Sequence, residues 1–189
     1  MLGGLSQRKV SLIAPVIMTF DPATVMQSRR ESCQERDLKR WLRTLSGEHR
    51  FEFVSQCLDF RGYGHEFRAL NLATSCISNR AHVLAILRRG LACADASSID
   101  IWLEFAVAKL GGRRVVKEVA RLIDSDPGAV DRALYWLPYY LPKSQRKAGL
   151  LLAEFHVQAK ERGIIKGPIT TYTADGKLLF SNIYPQSGS

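Results

Sequence analysis

Apolar side chains recur along most of this chain at the three- and four-residue spacing of an amphipathic helix. Ile99, Trp102, Leu103, Ala106 and Leu110 share one helical face, and about thirty-one residues later Val130, Ala133, Leu134, Leu137 and Leu141 share the equivalent one. The register runs back through Ala69, Leu70, Ala73 and Ile77, and then through Leu38, Trp41 and Leu45. Partner helices keep the rhythm: Phe51, Val54 and Leu58; Val83, Ile86 and Leu87; Val116, Val119, Ala120 and Ile123; and, after a longer turn, Leu150, Ala153 and Val157. Asp21-Pro22 and Asp126-Pro127 each set an N-cap before a first-position proline, and Ser97 marks another start. Gly47, Gly62, Gly64, Gly111, Gly112 and Gly163 mark most of the breaks. The pattern predicts about four helix pairs, roughly at 36–61, 65–93, 97–124 and 127–162. A single pair cannot bury its apolar stripe, whereas a stack buries a continuous core. The competing reading is an irregular bundle whose similar helix lengths mimic a period.

After Gly163 the pattern changes. Ile169-Thr170-Thr171-Tyr172-Thr173, then Ala174-Asp175-Gly176-Lys177, then Leu178-Leu179-Phe180 predicts a β-hairpin with Asp-Gly in a type I′ turn. At the other end, Arg8 and Lys9 precede an apolar run from Val10 to Phe20. That outline suits a short signal peptide, but Pro15 interrupts it, no small-x-small site follows, and the run is too short to span a bilayer. It reads as a leader that contributes nothing to folding through residue 17, with Met18 available as a start. The expected organisation is a flexible leader at 1–20, a helical-repeat domain at 21–163, and a β-hairpin with a disordered tail at 164–189.

The segment Asp124-Ser125-Asp126-Pro127-Gly128-Ala129-Val130-Asp131-Arg132-Ala133-Leu134 resembles the start of a short HEAT-like repeat, in which Asp-Pro is followed by Val, Arg and Ala. The other pairs keep the apolar register and lose the Asp-Pro start. The resemblance covers about 36–162. It implies a mainly α fold, a right-handed stack of about four antiparallel helix pairs (a HEAT-like α-solenoid), serving as a binding scaffold.

Composition adds less. Apolar residues make up 46% of 189, enough for a core and too many for a disordered chain. The balance of 27 Lys+Arg against 18 Asp+Glu gives +9, which favours polyanions, acidic protein surfaces or anionic membrane without choosing among them. Cys33, Cys57, Cys76 and Cys93 are irregularly spaced and read as reduced, with the last three as small hydrophobes in helices; this suggests the cytoplasm.

No catalytic signature is present: no P-loop, no GxSxG, no HExxH, and no histidine at metal-ligand spacing from a cysteine. No catalytic residue, metal site, cofactor or small-molecule substrate is therefore expected. Asp59-Phe60-Arg61-Gly62-Tyr63-Gly64-His65-Glu66 is the densest polar cluster, and it falls at a joint where glycines turn the chain and acids cap helices. On the fourth pair Leu134, Leu137 and Leu141 face the core, which turns Tyr135 and Tyr139 outward with Trp136 between them. Pro138 is expected to kink or end that helix. Turns within pairs are basic, with Arg80, then Lys109, Arg113 and Arg114, then Lys143, Arg146 and Lys147. Turns between pairs are acidic, which suits helix starts. The basic turns oppose the helix dipole, so they mark either a polyanion-binding edge or a solubilising surface.

These features point to a non-enzymatic scaffold for a protein partner, with Tyr135, Trp136 and Tyr139 as the contact band. The alternative is nucleic-acid binding along Arg80, Arg113, Arg114, Lys143, Arg146 and Lys147. That alternative includes a helical-repeat DNA glycosylase, for which Trp102, Asp131 and Trp136 are of suitable type.

Overall fold

The computed structural model describes residues 19–28, 32–94, 97–141, 146–165, 170–172 and 178–180. Among the described residues the chain is mainly helical, with nine helices: α1 (Pro22–Gln27), α2 (Ser32–Thr44), α3 (Gly47–Cys57), α4 (Tyr63–Cys76), α5 (Arg80–Cys93), α6 (Ile99–Leu110), α7 (Gly112–Ala120), α8 (Pro127–Tyr140) and α9 (Arg146–Glu161). The leader through residue 18 lies outside these residues. Phe20, which the sequence pattern placed in the leader, packs on Trp41 with ring centroids 5.4 Å apart.

Local chemistry sets the helix ends. Asp21 accepts the Thr24 amide at 2.8 Å and Asp126 accepts the Ala129 amide at 2.9 Å, each with proline at the first helical position. Ser46 and Asn79 cap α3 and α5 in the same way. Gly62 and Gly111 stand before α4 and α7 at φ 107° and 80°, a region that side chains with a Cβ rarely enter. Two starts shift. Helix α6 opens after Ser98 rather than Ser97, and α4 begins at Tyr63, with Gly64 inside it.

Helix α6 is the centre of the core. Ile99, Ile101, Trp102, Leu103, Phe105, Ala106 and Val107 are all buried, so this helix is apolar nearly all round. It packs against α4, α5, α7 and α8, while α2 touches α4 and α7 touches α9. The Trp102 ring lies directly over Gly90 of α5: a Cβ there would come within 2.7 Å of Trp102 Cγ and closer still to Cδ2 and Cε3. The indole Nε1 donates to Glu66 Oε2 of α4 at 3.0 Å, and both side chains are buried. One side chain thus joins three helices.

The predicted faces of the first seven helices of the pattern are buried or packed on the core. The last one is out of phase. Leu150 and Val157 are 45% and 49% exposed, and α9 is buried instead through Ala148, Leu152, Phe155 and Ala159. Those four follow a 4-3-4 helical spacing; the sequence alignment carried the repeat across a turn of different length and lost about half a turn of phase. Pro138 does not end α8, which continues to Tyr140 with the proline buried inside it. Beyond α9, Thr170–Tyr172 runs antiparallel to Leu178–Phe180 with Thr170 opposite Phe180. The Asp-Gly turn expected between these strands falls on residues 173–177, which lie outside the described set.

Two expectations follow for the core. Leu103→Ala and Leu134→Ala, each at a side chain no more than 2% exposed, should each cost about 2–5 kcal/mol in urea unfolding. Gly90→Ala should destabilise by about 1–3 kcal/mol, because overpacking against Trp102 outweighs the roughly 1 kcal/mol that alanine gains over glycine in a helix. A neutral or stabilising Gly90→Ala would show that the indole can move aside.

Candidate functional site

Helix α8 positions the aromatic band. Ala133, Leu134, Leu137 and Leu141 are buried, which leaves Tyr135 and Tyr139 outward, 63% and 55% exposed. Trp136 is half-buried and packs on the core. Its ring meets Tyr135 edge-on at 5.1 Å and Tyr139 at 5.9 Å, and the two tyrosine rings are 6.3 Å apart. The band is a cluster with its base in the core and two phenol rings at the surface. Trp136 and Tyr140, one turn apart, form the adjoining stripe.

A second exposed aromatic pair was not anticipated. Tyr63 and Phe67, one turn apart on α4, stack with centroids 6.3 Å apart and planes 8° from parallel. Their i, i+4 spacing was visible in the sequence, but Tyr63 was read as part of the polar cluster at 59–66 and Phe67 was not singled out. That cluster is dispersed by the fold. Asp59 pairs with Arg89 at 2.6 Å, Glu66 turns inward to Trp102, and His65 Nδ1 lies 3.1 Å from the Arg61 carbonyl. No acid–base centre is assembled there.

The basic residues play different parts. One group binds the carbonyls at helix C-termini, where the macrodipole is negative. Arg68 donates to Ser28 at the end of α1 (2.8 Å), and Arg89 to Ser55 and Leu58 at the end of α3 (3.2 and 2.9 Å). Lys109 and Arg50 donate to Thr74 and Cys76 at the end of α4 (2.6 and 3.3 Å), and Arg132 to Leu91 in the last turn of α5 (3.4 Å). Each cation comes from a different helix than the one it caps. Arg88 and Arg121 hold the buried Glu118 at 3.0 and 2.6 Å. Another group is exposed. Arg80 stands at the start of α5, Arg113 and Arg114 at the start of α7, and Lys147 at the start of α9, all without ion-pair partners among the described residues. Arg113, Arg114 and Lys117 with Leu110 and Gly111 line an open cavity of about 350 Å³. Lys143 lies outside the described residues, as does the side chain of Arg146. Lys109, grouped with this edge by the sequence, belongs to the capping set.

The trio suited to a glycosylase does not come together. Trp102 is buried and its indole is committed to Glu66, whereas Asp131 is exposed at the start of α8. No group of three metal-ligating side chains occurs among the described residues. Burial pushes the Cys57 thiol up to about 12 and the Cys76 thiol to about 11, so both are unreactive. Cys93, expected to act as a small hydrophobe, is exposed near the end of α5. No helix of the described residues is long and apolar enough to cross a membrane. Comparison with protein-family models, curated proteins and solved structures returns no match for this chain.

His156 is the one buried histidine among the described residues. Burial holds its pKa below the ordinary 6.5, against the pull of the Leu152 carbonyl, 3.0 Å from Nδ1, and of the Leu134 carbonyl. The unfolded chain therefore takes up this proton first as the pH falls. Its contribution to stability is complete above 6.5 and is lost as the pH falls from there through the lower folded value. The urea midpoint should drop as the pH falls through and below 6.5, and His156→Gln should flatten that drop. Superimposable pH profiles for the two proteins would assign the acid sensitivity elsewhere.

Proposed function

We propose that this chain is a non-enzymatic helical-repeat scaffold that holds a protein partner against the aromatic band of α8. In this reading the helices form a right-handed, HEAT-like stack of four antiparallel pairs, α2/α3, α4/α5, α6/α7 and α8/α9, with a β-hairpin after the last. Successive contacts of α2 with α4, α4 with α6, and α6 with α8 support the stack, as does that of α7 with α9. The observation that carries the function is the pair Tyr135 and Tyr139, more than half exposed on a rigid helix and braced by Trp136. Large rings held in place bury much area on binding at little conformational cost, which is why Tyr and Trp concentrate at hot spots.

The test is affinity capture from lysate with the intact chain, comparing wild type with Tyr135→Ser/Tyr139→Ser. The variant should lose a specific co-purifying protein while keeping its unfolding free energy within about 0.5 kcal/mol of wild type, as surface substitutions do. An unchanged set of captured proteins would sink the aromatic band as the contact.

A second reading rests on the exposed cations Arg80, Arg113, Arg114 and Lys147, with Lys143 and Arg146 from the same basic turns. If these form one edge, they offer a row of charge to a phosphate backbone. Binding to duplex DNA would then be weak, indifferent to sequence and steeply salt-dependent, since each neutralised phosphate releases counterions. Arg113→Glu/Arg114→Glu should reduce both the affinity and the salt slope. No binding at low salt, or an affinity untouched by the double reversal, removes nucleic acid.

A further inference from the structure

Asp100 and Glu104 stand one turn apart on α6, so their carboxylates share a face. Neither has a cationic partner within ion-pair distance among the described residues. In a chain with 27 Lys+Arg against 18 Asp+Glu, two adjacent carboxylates left unpaired need a reason. The positive end of the α6 dipole favours Asp100 in the first turn, but that effect fades within a turn and does not reach Glu104. Like charges at this spacing repel.

A tyrosine of α8 stands beside the pair. Tyr140 Oη of α8 lies 3.5 Å from Asp100 Oδ2, a long contact, and Asp100 Oδ1 is shielded from solvent with no hydrogen-bond donor. Burial first, then the charges of Asp100 and Glu104 and the nearby Tyr63 phenol, push Tyr140 up to about 12, so it stays neutral. Tyr63 and Phe67 present their stacked, exposed rings from α4. The result is a carboxylate pair beside Tyr140 of α8, with the Tyr63 phenol of α4 near that same tyrosine.

We propose that this strip docks an arginine-bearing segment of a protein partner, its guanidinium paired with the exposed Glu104 in the field of Asp100 and laid against the exposed rings of Tyr63 and Phe67. Arginine fits better than lysine: its planar fork meets a carboxylate through two hydrogen bonds and stacks on aromatic faces. The assignment rests on the scaffold reading and names the charge of the partner. It also separates this surface from the exposed basic helix starts, which would repel the same segment.

The probe is fluorescently labelled hexa-arginine, titrated into the full chain by anisotropy at low salt. The net charge of +9 opposes this peptide, so binding reports a local site rather than general attraction. We expect saturable binding that weakens about tenfold or more in Asp100→Asn/Glu104→Gln and is unchanged or tighter in Arg113→Glu/Arg114→Glu. Glu104→Gln alone, at an exposed position, should give a smaller loss in the same direction and guards against a folding defect at Asp100. Absence of binding, or binding indifferent to the carboxylate variants, overturns the proposal. So does a chain that self-associates through Asp100 and Glu104 without taking up the peptide, since the occupant is then a second copy. If the peptide fails while Tyr135→Ser/Tyr139→Ser still abolishes capture, only the cationic partner is lost and the scaffold stands. If the peptide binds and the tyrosine variant captures normally, the contact lies on this strip and not on the α8 band.

Discussion

Trp102 is the side chain on which the helix arrangement depends. It needs two unrelated concessions from its neighbours. One is the bare backbone at Gly90, which lets α5 and α6 approach until the indole fills the space a Cβ would take. The other is a buried acceptor, Glu66, for the indole N–H. A buried N–H without a partner costs about 1–3 kcal/mol, and a buried carboxylate without one costs more. Each group satisfies the other, so α4, α5 and α6 are fixed in rotation as well as distance. Oily packing alone tolerates rotation; a ring wedged on a glycine and hydrogen-bonded at one edge does not.

The charge follows a similar economy. Arg50, Arg68, Arg89, Lys109 and Arg132 each reach the carbonyl end of a different helix, where unpaired C=O groups and the dipole both favour a cation. These bonds act between elements, so part of the chain's positive excess is internal fastening. The exposed cations outside that set include a group at helix starts. Arg80, Arg113, Arg114 and Lys147 are left to solvent at helix starts, where the dipole opposes them.

Helix identity and most core faces were legible in the sequence because 3.6-residue periodicity is a local signal, and α6 and α8 carry it strongly. Phase failed at α9, where Leu150 and Val157 were placed inward by analogy with earlier pairs rather than by the helix's own spacing of Ala148, Leu152, Phe155 and Ala159. Tyr135 and Tyr139 were legible as outward because Leu134 and Leu137 set the rotation. The pairing of Glu66 with Trp102 was not legible, since nothing local says which of several acids turns inward. Nor was the division of the cations, because a carbonyl acceptor some 26 to 41 residues away leaves no mark on the sequence around an arginine. Asp100 was read as part of an acidic turn and Glu104 was not singled out; only the fold shows that neither meets a cation among the described residues.

These facts share a geometric cause. On α6, Asp100 and Glu104 lie two residues on either side of Trp102, which at about 100° per residue sets each roughly 160° from it. Locking the indole against Gly90 and Glu66 therefore turns the carboxylates directly away from α5. On α8 the same offset separates Leu137, buried in the core, from Tyr135 and Tyr139. On α4, Glu66 faces inward and Tyr63 and Phe67 fall together on the flank roughly 60–100° around. Each helix is oriented by one committed core residue, and the outward face follows without further choice. Tyr140 of α8 comes to lie beside Asp100 because the core is built as it is.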